Sequence, residues 1–288
     1  MYKILSKRIL NQAGTTTEMV FAAPLVARKC LPGQFVILQL DEYGERFPLT
    51  IADYDREKGT VSVIFQAVGK STRMLNMMES GEEIQDFAGP LGLPTEMEGL
   101  KRVAVVGGGV GCAIAAPVAR GMSREGIAVS MVVGFRSRDI VILEEEMRAC
   151  CERLFLMTDD GSAGEKGFTT DKLRALLESG ERYDEVVAIG PPIMMKLICE
   201  LTKPYGVKTV VSLNPIMIDG TGMCGCCRVT VGGERKFACV HGPDFDGQAV
   251  DWDELINRSR IYAEEEAAAN EHVCKIGLRG ARDGKPVS

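Results

Sequence analysis

Short runs of alternating hydrophobic and polar residues occupy the first 97 positions of the chain, separated by turns of Gly, Pro and Asp. Alternation with a period of two is typical of strands that bury one face. Many such strands in succession predict a small antiparallel barrel. The runs are KILSKRIL, TEMVFAAP, QFVILQL, FPLTIAD, TVSVIFQAV and EEIQDFAGP.

A different pattern extends from residue 98 to about residue 212. Apolar runs bounded by glycine, such as VAVV and VSMVVGF, alternate with helical stretches such as DKLRALLESG. This alternation predicts a doubly wound parallel sheet, so the expected fold class is α/β with an all-β N-terminal domain. We expect domains at 1–97 and 98–212, a cysteine-rich module at 213–250, and a C-terminal helix and tail at 251–288.

Composition places the chain among globular proteins. Its 288 residues, of which 45% are hydrophobic and 26% charged, suffice for two domains and a small module. The net charge of −6 argues against a nucleic-acid partner, which favours a basic face. No run approaches the roughly 20 apolar residues of a membrane span, and no signal peptide is evident. The ten cysteines do not resemble a disulfide framework, so we expect a cytoplasmic protein.

The densest chemistry lies between Asp219 and Cys239. Asp219, Cys224, Cys227 and Cys239 have the spacing D-x4-C-x2-C-x11-C. A cysteine in place of the aspartate would give the plant-type spacing of a [2Fe-2S] cluster. Glycines at 220, 222 and 225 let the loop wrap closely around an inorganic core, and the runs VTV and KFAC predict a strand-like return that carries Cys239. We therefore predict a redox centre with these four ligands.

Two alternatives use the same thiols. The three cysteines together with His241 also form a Cys3His set that suits tetrahedral zinc. Asp219 can instead be a turn former in DGTG, with Cys226 as the fourth cluster ligand. Adjacent cysteines such as Cys226 and Cys227 rarely point at one metal, which favours Asp219. A carboxylate among thiolates is expected to change the reduction potential of the cluster.

Two segments of the predicted barrel carry groups that suit a phosphate or a ring nitrogen. RFPLT, residues 46–50, offers an arginine for a pyrophosphate and Thr50 for a ring nitrogen. GKST, residues 69–72, offers backbone N–H groups, although it is too short for a P-loop. Each segment alone is also consistent with an ordinary strand start or turn.

A glycine-rich turn follows the first predicted parallel strand. Gly107, Gly108, Gly109, Val110 and Gly111 precede an alanine-rich helix, so their backbone N–H groups can face a phosphate. The spacing departs from G-x-G-x-x-G. A tight turn without a ligand therefore remains an alternative.

Two further segments lie at the expected carboxyl edge of the parallel sheet. After the second strand, Arg136 and Arg138 can approach a 2′-phosphate, and Asp139 can accept a ribose hydroxyl. The sequence does not separate NAD from NADP. After the strand VVAI, the triplet Gly190, Pro191 and Pro192 stands where open α/β sheets bind ligands, or forms a simple turn.

The order of these motifs resembles one family over essentially the whole chain. A barrel with RFPLT and GKST, followed by VVGGGVG, GPP and the cysteine module, is similar to the ferredoxin reductase superfamily. Within it, the chain resembles the FAD- and NAD-binding electron-transfer subunits of dihydroorotate dehydrogenase. The stretch TDDGSAGEKGFTTDKL and the aspartate at the first cluster position most resemble the small subunit of NADH-dependent ferredoxin:NADP oxidoreductase, or sulfide dehydrogenase.

The resemblance implies FAD, a [2Fe-2S] cluster and NAD(H), with NADP(H) as the other nucleotide. It implies that the cluster is held by Asp219, Cys224, Cys227 and Cys239. The implied FAD contacts are Arg46, Pro48, Leu49, Thr50, Ile64, Phe65, Gln66, Gly69, Lys70, Ser71 and Thr72. Two features depart from the dihydroorotate subunits: Phe47 separates the arginine from the proline, and Asp219 replaces a cysteine.

The implied function is that of an oxidoreductase subunit that converts hydride transfer into single-electron transfer. No side chain is expected to act as a strong acid or base. The implied partners are a larger FAD and [4Fe-4S] subunit and, through it, ferredoxin; relatives of this kind divide electrons from NADPH between ferredoxin and NAD by flavin-based bifurcation. The rival functions are a subunit of NAD-dependent dihydroorotate dehydrogenase, a free-standing flavin reductase and a zinc-stabilised nucleotide-binding regulator.

Overall fold

The computed structural model describes residues 1–269. Its N-terminal part is a seven-stranded antiparallel sheet that curls into a nearly closed barrel, as the alternating pattern predicts. The strand order is β6-β1-β2-β5-β4-β3-β7. The strands are β1 (Tyr2–Ile9), β2 (Thr16–Ala22), β3 (Phe35–Gln39), β4 (Arg46–Asp55), β5 (Thr60–Gln66), β6 (Glu83–Ile84) and β7 (Asp86–Leu91), with short helices α1 (Pro24–Ala27) and α2 (Lys70–Met77).

Strand β3 connects the barrel to the rest of the molecule. Val36 and Leu38 pack inside the barrel, whereas Phe35 and Ile37 pack on its outer face against the second core. Successive side chains of a strand point to opposite faces, so both faces of β3 are buried. This explains why FVIL is continuously apolar instead of alternating.

The second sheet has the order β11-β10-β9-β8-β12-β13-β16, and only β16 runs antiparallel to its neighbour. Its strands are β8 (Arg102–Gly108), β9 (Ala128–Phe135), β10 (Arg153–Thr158), β11 (Glu165–Lys166), β12 (Glu185–Ile189), β13 (Lys208–Ser212) and β16 (Asp244–Asp246). The helices that accompany it are α3 (Cys112–Arg124), α4 (Glu144–Ala149), α5 (Thr169–Glu178), α6 (Pro192–Thr202) and α8 (Trp252–Arg258).

Helices cover both faces of this sheet. Residues of α3 and α4 form one core with the sheet, and residues of α5, α6 and α8 form another on the opposite face. Along β8, Val103 and Val105 enter the first core, whereas Ala104 and Val106 enter the second. The predicted fold class, a β-barrel beside a doubly wound sheet, is confirmed.

The cysteine-rich segment forms a hairpin followed by a helical turn. Strands β14 (Arg228–Val231) and β15 (Glu234–Phe237) are joined by Gly232 and Gly233, which both have positive φ and so permit a two-residue turn. The expectation that KFAC is strand throughout is wrong at its end. Cys239 lies in α7 (Ala238–His241), because the chain turns after Phe237 and the Gly242 N–H donates to the Ala238 carbonyl.

The predicted domain boundaries stay predictions. Position 97 falls between β7 and β8, position 212 is the last residue of β13, and position 250 is followed directly by the N-cap of α8. Residues 270–288, with Cys274 and most of the expected polar tail, lie outside the described residues. Among residues 1–269, no helix has the length and apolarity to cross a membrane.

Candidate functional site

Two cysteines of the predicted cluster site are brought together inside the protein. Cys227, just before β14, and Cys239, in α7, are both buried, and their Sγ atoms lie 3.2 Å apart. This is too long for a disulfide, whose S–S bond is about 2.05 Å. The Ala238 N–H donates to the Cys227 carbonyl at 3.1 Å, which fixes the two segments against each other. Burial, followed by the neighbouring Cys227 thiol, raises the pKa of Cys239 to about 12.

The other two predicted ligands lie in the loop before this pair. The hydroxyl and N–H of Thr221 both donate to the Asp219 carboxylate. These bonds lower the pKa of Asp219, and the bond from the hydroxyl has the largest effect. The charge of Arg46 lowers this pKa further, but more weakly. Cys224 is exposed, and backbone N–H groups of Cys226 and Asp219 lower the pKa of its thiol. Both groups are therefore disposed toward the anionic form that binds metal.

Three glycines allow the loop to follow this path. Gly220, Gly222 and Gly225 have φ of +84°, +81° and +70°, a backbone region that residues with a Cβ seldom adopt. A Cβ on Gly220 would lie 2.7 Å from Leu91 Cδ1 and 2.8 Å from Ile37 Cδ1, so the loop packs directly on barrel strands β3 and β7. The donor set and this close wrapping suit a two-iron cluster, which takes two protein ligands on each iron.

A mononuclear zinc site is less well matched. In residues 1–269, no three His, Cys, Asp or Glu side chains converge, either as a Cys3His set or as the predicted cluster set, of which Cys227 and Cys239 form a close pair. His241, the expected fourth zinc ligand, accepts a hydrogen bond at Nδ1 from the Phe237 N–H at 3.0 Å and stacks on the Phe237 ring. Cys226 is half-buried beside Cys224, and its carbonyl accepts from Arg258 Nη2 at 3.2 Å. Ligation by Cys226 stays an alternative prediction.

The RFPLT segment forms the first half of β4, paired with β3. Phe47 and Leu49 pack toward the barrel interior, so the alternation places Arg46, Pro48 and Thr50 on the other face. Leu49 can therefore reach a flavin only through its backbone. Of the expected contacts on β5, the Phe65 side chain is also inside the barrel, whereas Ile64 packs toward the α3 side of the second sheet and Gln66 is half-buried at the strand end.

The GKST segment forms the start of helix α2. Gly69 is extended and precedes the helix, and its N–H donates to Thr72 Oγ1 at 3.1 Å. The Ser71 hydroxyl donates to the carboxylate of Glu45, a residue that no sequence motif singled out. The N–H groups of Lys70 and the following residues form the first turn, where backbone donors lack intrahelical partners. This turn suits an anion.

The glycines of the predicted nucleotide loop are explained mainly by close packing. Gly107 and Gly108 end β8, and Gly109, Val110 and Gly111 form a single turn before α3. A Cβ on Gly111 would lie 2.5 Å from the Ile189 carbonyl oxygen, and one on Gly108 would lie 2.5 Å from Met194 Sδ. Gly109 differs, because it has φ +57° and a Cβ there would meet open space.

Gly190 and Pro191 lie beside this turn. A Cβ on Gly190 would come within 3.2 Å of Gly108 Cα, and Pro192 begins α6. The two predicted turns are thus adjacent at the carboxyl edge of the sheet, where α/β proteins bind ligands.

Arg136, Arg138 and Asp139 follow β9 and are exposed. The Arg138 N–H donates to Ser162 Oγ at 2.8 Å, and the Asp139 carboxylate accepts the Ser137 hydroxyl. Arg138 also borders a cavity of about 580 Å³ between the turn after β1 and the segment around α4. No sequence pattern indicated this cavity, because it is formed by residues far apart in the chain.

Comparisons with known proteins agree with these features. Residues 214–251 match the iron-sulfur cluster binding domain of dihydroorotate dehydrogenase B. The chain is 50% identical over 277 residues, 93% of each protein, to an uncharacterized protein from the adh 3′ region of Clostridium beijerinckii. It is 46% identical over 253 residues, 88% of this chain and 89% of the relative, to a homologue of the dihydroorotate dehydrogenase B (NAD(+)) electron transfer subunit from Thermotoga maritima.

A solved structure is similar over nearly the same length. It is a chain from a structure of the NADH-dependent reduced ferredoxin-NADP oxidoreductase, described in connection with flavin-based electron bifurcation. The two chains superpose with a TM-score of 0.89 at 41% identity, covering 95% of this chain and 98% of the other.

Proposed function

Because the chain belongs to the family of dihydroorotate dehydrogenase B electron-transfer subunits, we propose that it binds FAD, a [2Fe-2S] cluster and NAD(H) and passes single electrons to a partner subunit. The observation that carries this proposal is the pairing of Cys227 with Cys239 in a segment whose loop packs on the barrel. In this proposal, the one-electron centre lies against β3 and β7, and β3 pairs with β4, the strand expected to contact the flavin.

In this proposal, each motif has a binding role. N–H groups at the start of α2 and the Ser71 hydroxyl bind the FAD pyrophosphate, and the outer face of β4 with Thr50 orients the flavin ring. The turn from Gly107 to Gly111 binds the phosphates of the nicotinamide nucleotide. Asp219 and the three cysteines hold the cluster. When bound, the flavin exchanges a hydride with the nicotinamide, and the cluster carries electrons one at a time.

We propose further that the partner is a larger subunit with FAD and [4Fe-4S] clusters, in an electron-bifurcating NADH-dependent ferredoxin:NADP oxidoreductase. The similarity to the solved oxidoreductase chain over almost the full length of both supports this assignment. Asp219 in place of a fourth cluster cysteine also favours it. We place the complex in the cytoplasm, because four of the ten cysteines lie within residues 224–239 and the others are scattered in apolar surroundings, a distribution unlike the disulfide framework of a secreted protein.

A dihydroorotate dehydrogenase subunit is the second candidate. Relatives at 31–35% identity from Clostridium acetobutylicum and Bacillus velezensis carry that name. Such a subunit would bind the same cofactors and differ in its large partner. A colourless zinc-stabilised regulator is disfavoured by the hydrogen bond that engages His241.

Anaerobic purification with a mild affinity tag tests the proposal. We expect a yellow-brown complex that contains flavin, iron and acid-labile sulfide, together with a larger subunit identified by its mass. Co-purification of a dihydroorotate-oxidising subunit would favour the second candidate. Material without flavin, iron or sulfide would refute both.

A further inference from the structure

The arginine of RFPLT is directed toward the cluster loop, not toward the proposed phosphate site. Its neighbour Glu45 reaches Ser71 at the start of α2. Consecutive residues of an extended chain point to opposite sides, and the Arg46 side chain follows the other direction. Arg46 Nη1 pairs with Asp86 Oδ2 at 3.0 Å, and Arg46 Nε donates to the Ile218 carbonyl at 2.9 Å.

The second of these contacts fixes the peptide that carries a predicted cluster ligand. The Ile218 carbonyl belongs to the peptide bond that joins Ile218 to Asp219. On the other side of Asp219, Gly220 is packed against Ile37 and Leu91. The barrel therefore holds the backbone on both sides of the carboxylate, through a hydrogen bond before it and close packing after it.

The guanidinium also brings a positive charge to this place. Only about a quarter of the Arg46 side chain is exposed, and Asp86 offsets part of its charge. Reduction adds a negative charge to an iron-sulfur cluster, and a nearby cation stabilises the reduced form. Because most of the Arg46 side chain is buried, solvent screens this charge less than it would screen an exposed charge.

Building on the proposed function, we infer that Arg46 is a positioning residue for the [2Fe-2S] cluster: it holds the Asp219 peptide and raises the reduction potential of the cluster, instead of binding the flavin pyrophosphate. No step of hydride transfer requires it. Its partner Asp86 has the opposite electrostatic effect on the same centre.

The test compares Arg46→Gln with Arg56→Gln in the purified complex. Arg56 also donates to a backbone carbonyl, that of Cys30, but it follows the far end of β4, about 30 Å along the strand. Flavin, iron and sulfide content are measured first, and the EPR spectrum and midpoint potential of the cluster afterwards. We expect Arg46→Gln to keep the wild-type flavin content, change the EPR g-values and move the midpoint to more negative potential. Arg56→Gln should match the wild type in all readouts.

Asp86→Asn is a variant for which the expected shift of the cluster midpoint potential has the opposite sign. It removes the anion that offsets Arg46, so the midpoint should move to more positive potential even if Arg46→Gln does not fold. Loss of flavin from Arg46→Gln with an unchanged cluster potential would overturn the inference and would indicate that Arg46 binds the flavin pyrophosphate. Unchanged potentials in both variants would also overturn it. Wild-type protein without iron and sulfide would instead refute the proposed function.

Discussion

Replacing Gly220 with alanine tests whether the barrel holds the cluster loop in place. The substitution forces a residue with a Cβ to keep φ near +84°, which costs about 1–2 kcal/mol. The new methyl would also lie 2.7 Å from Leu91 and 2.8 Å from Ile37, and such overpacking costs about 1–3 kcal/mol more. The expected loss in the free energy of unfolding is therefore about 2–5 kcal/mol.

Gly99→Ala is the matched control for this change. Gly99 also has positive φ, +75°, but a Cβ there would meet no atom within 4 Å. The backbone penalty and the reduced entropy of the unfolded chain apply to both variants, so their difference isolates the contact with the barrel. Urea unfolding followed by circular dichroism should give Gly220→Ala a free energy of unfolding that is lower than that of Gly99→Ala by about 1–3 kcal/mol. Equal losses would refute the direct packing of the loop on β3 and β7.

Three further changes have expected outcomes. Asp219→Cys should move the midpoint of the cluster in a redox titration, because ligand type sets cluster potential; an unmoved titration would contradict ligation by Asp219. Gly109→Ala should weaken NADH binding, measured by fluorescence titration, while unfolding changes by only about 1–2 kcal/mol, since its Cβ meets open space. Asp244 accepts from Thr95 Oγ1 at 2.6 Å, and burial raises its pKa, so its contribution to stability is largest in acid and falls as pH rises through the folded pKa. Asp244→Asn removes this dependence. In urea unfolding, the free energy of unfolding of the variant should rise relative to that of the wild type as the pH increases from 4; a difference that is constant with pH would exclude the effect.

Much of the fold could be predicted because its signals are local. Strands such as β2 and β5 follow from alternation, and β8 with α3 follows from an apolar run, glycines and a helical stretch. The spacing of Cys224 and Cys227 likewise depends only on neighbours in the chain. The end of the hairpin was predicted wrongly, because KFAC has strand propensity but the turn at Gly242 draws Cys239 into α7.

The partners of the site residues could not be predicted in the same way. RFPLT indicated an arginine for a phosphate, but the structure pairs Arg46 with Asp86, 40 residues away, and with Ile218, 172 residues away. The contact of Glu45 with Ser71, at the start of α2, and the cavity beside Arg138 had no signal in the sequence. Glu45 meets Ser71, and Arg46 meets Asp86, only when the barrel folds; the Arg46–Ile218 contact and the cavity form only when the barrel packs against the rest of the chain.

The sequence by itself determined the order of barrel, parallel sheet and cysteine module, since hydrophobic period, turn residues and thiol spacing act over a few positions. Only the tertiary structure decided that Cys239 reaches Cys227 from a helical turn instead of a strand, and that the barrel holds the backbone on both sides of Asp219. Such contacts depend on which way each strand face turns and on how closely two surfaces pack. Those quantities are set by the folded chain as a whole.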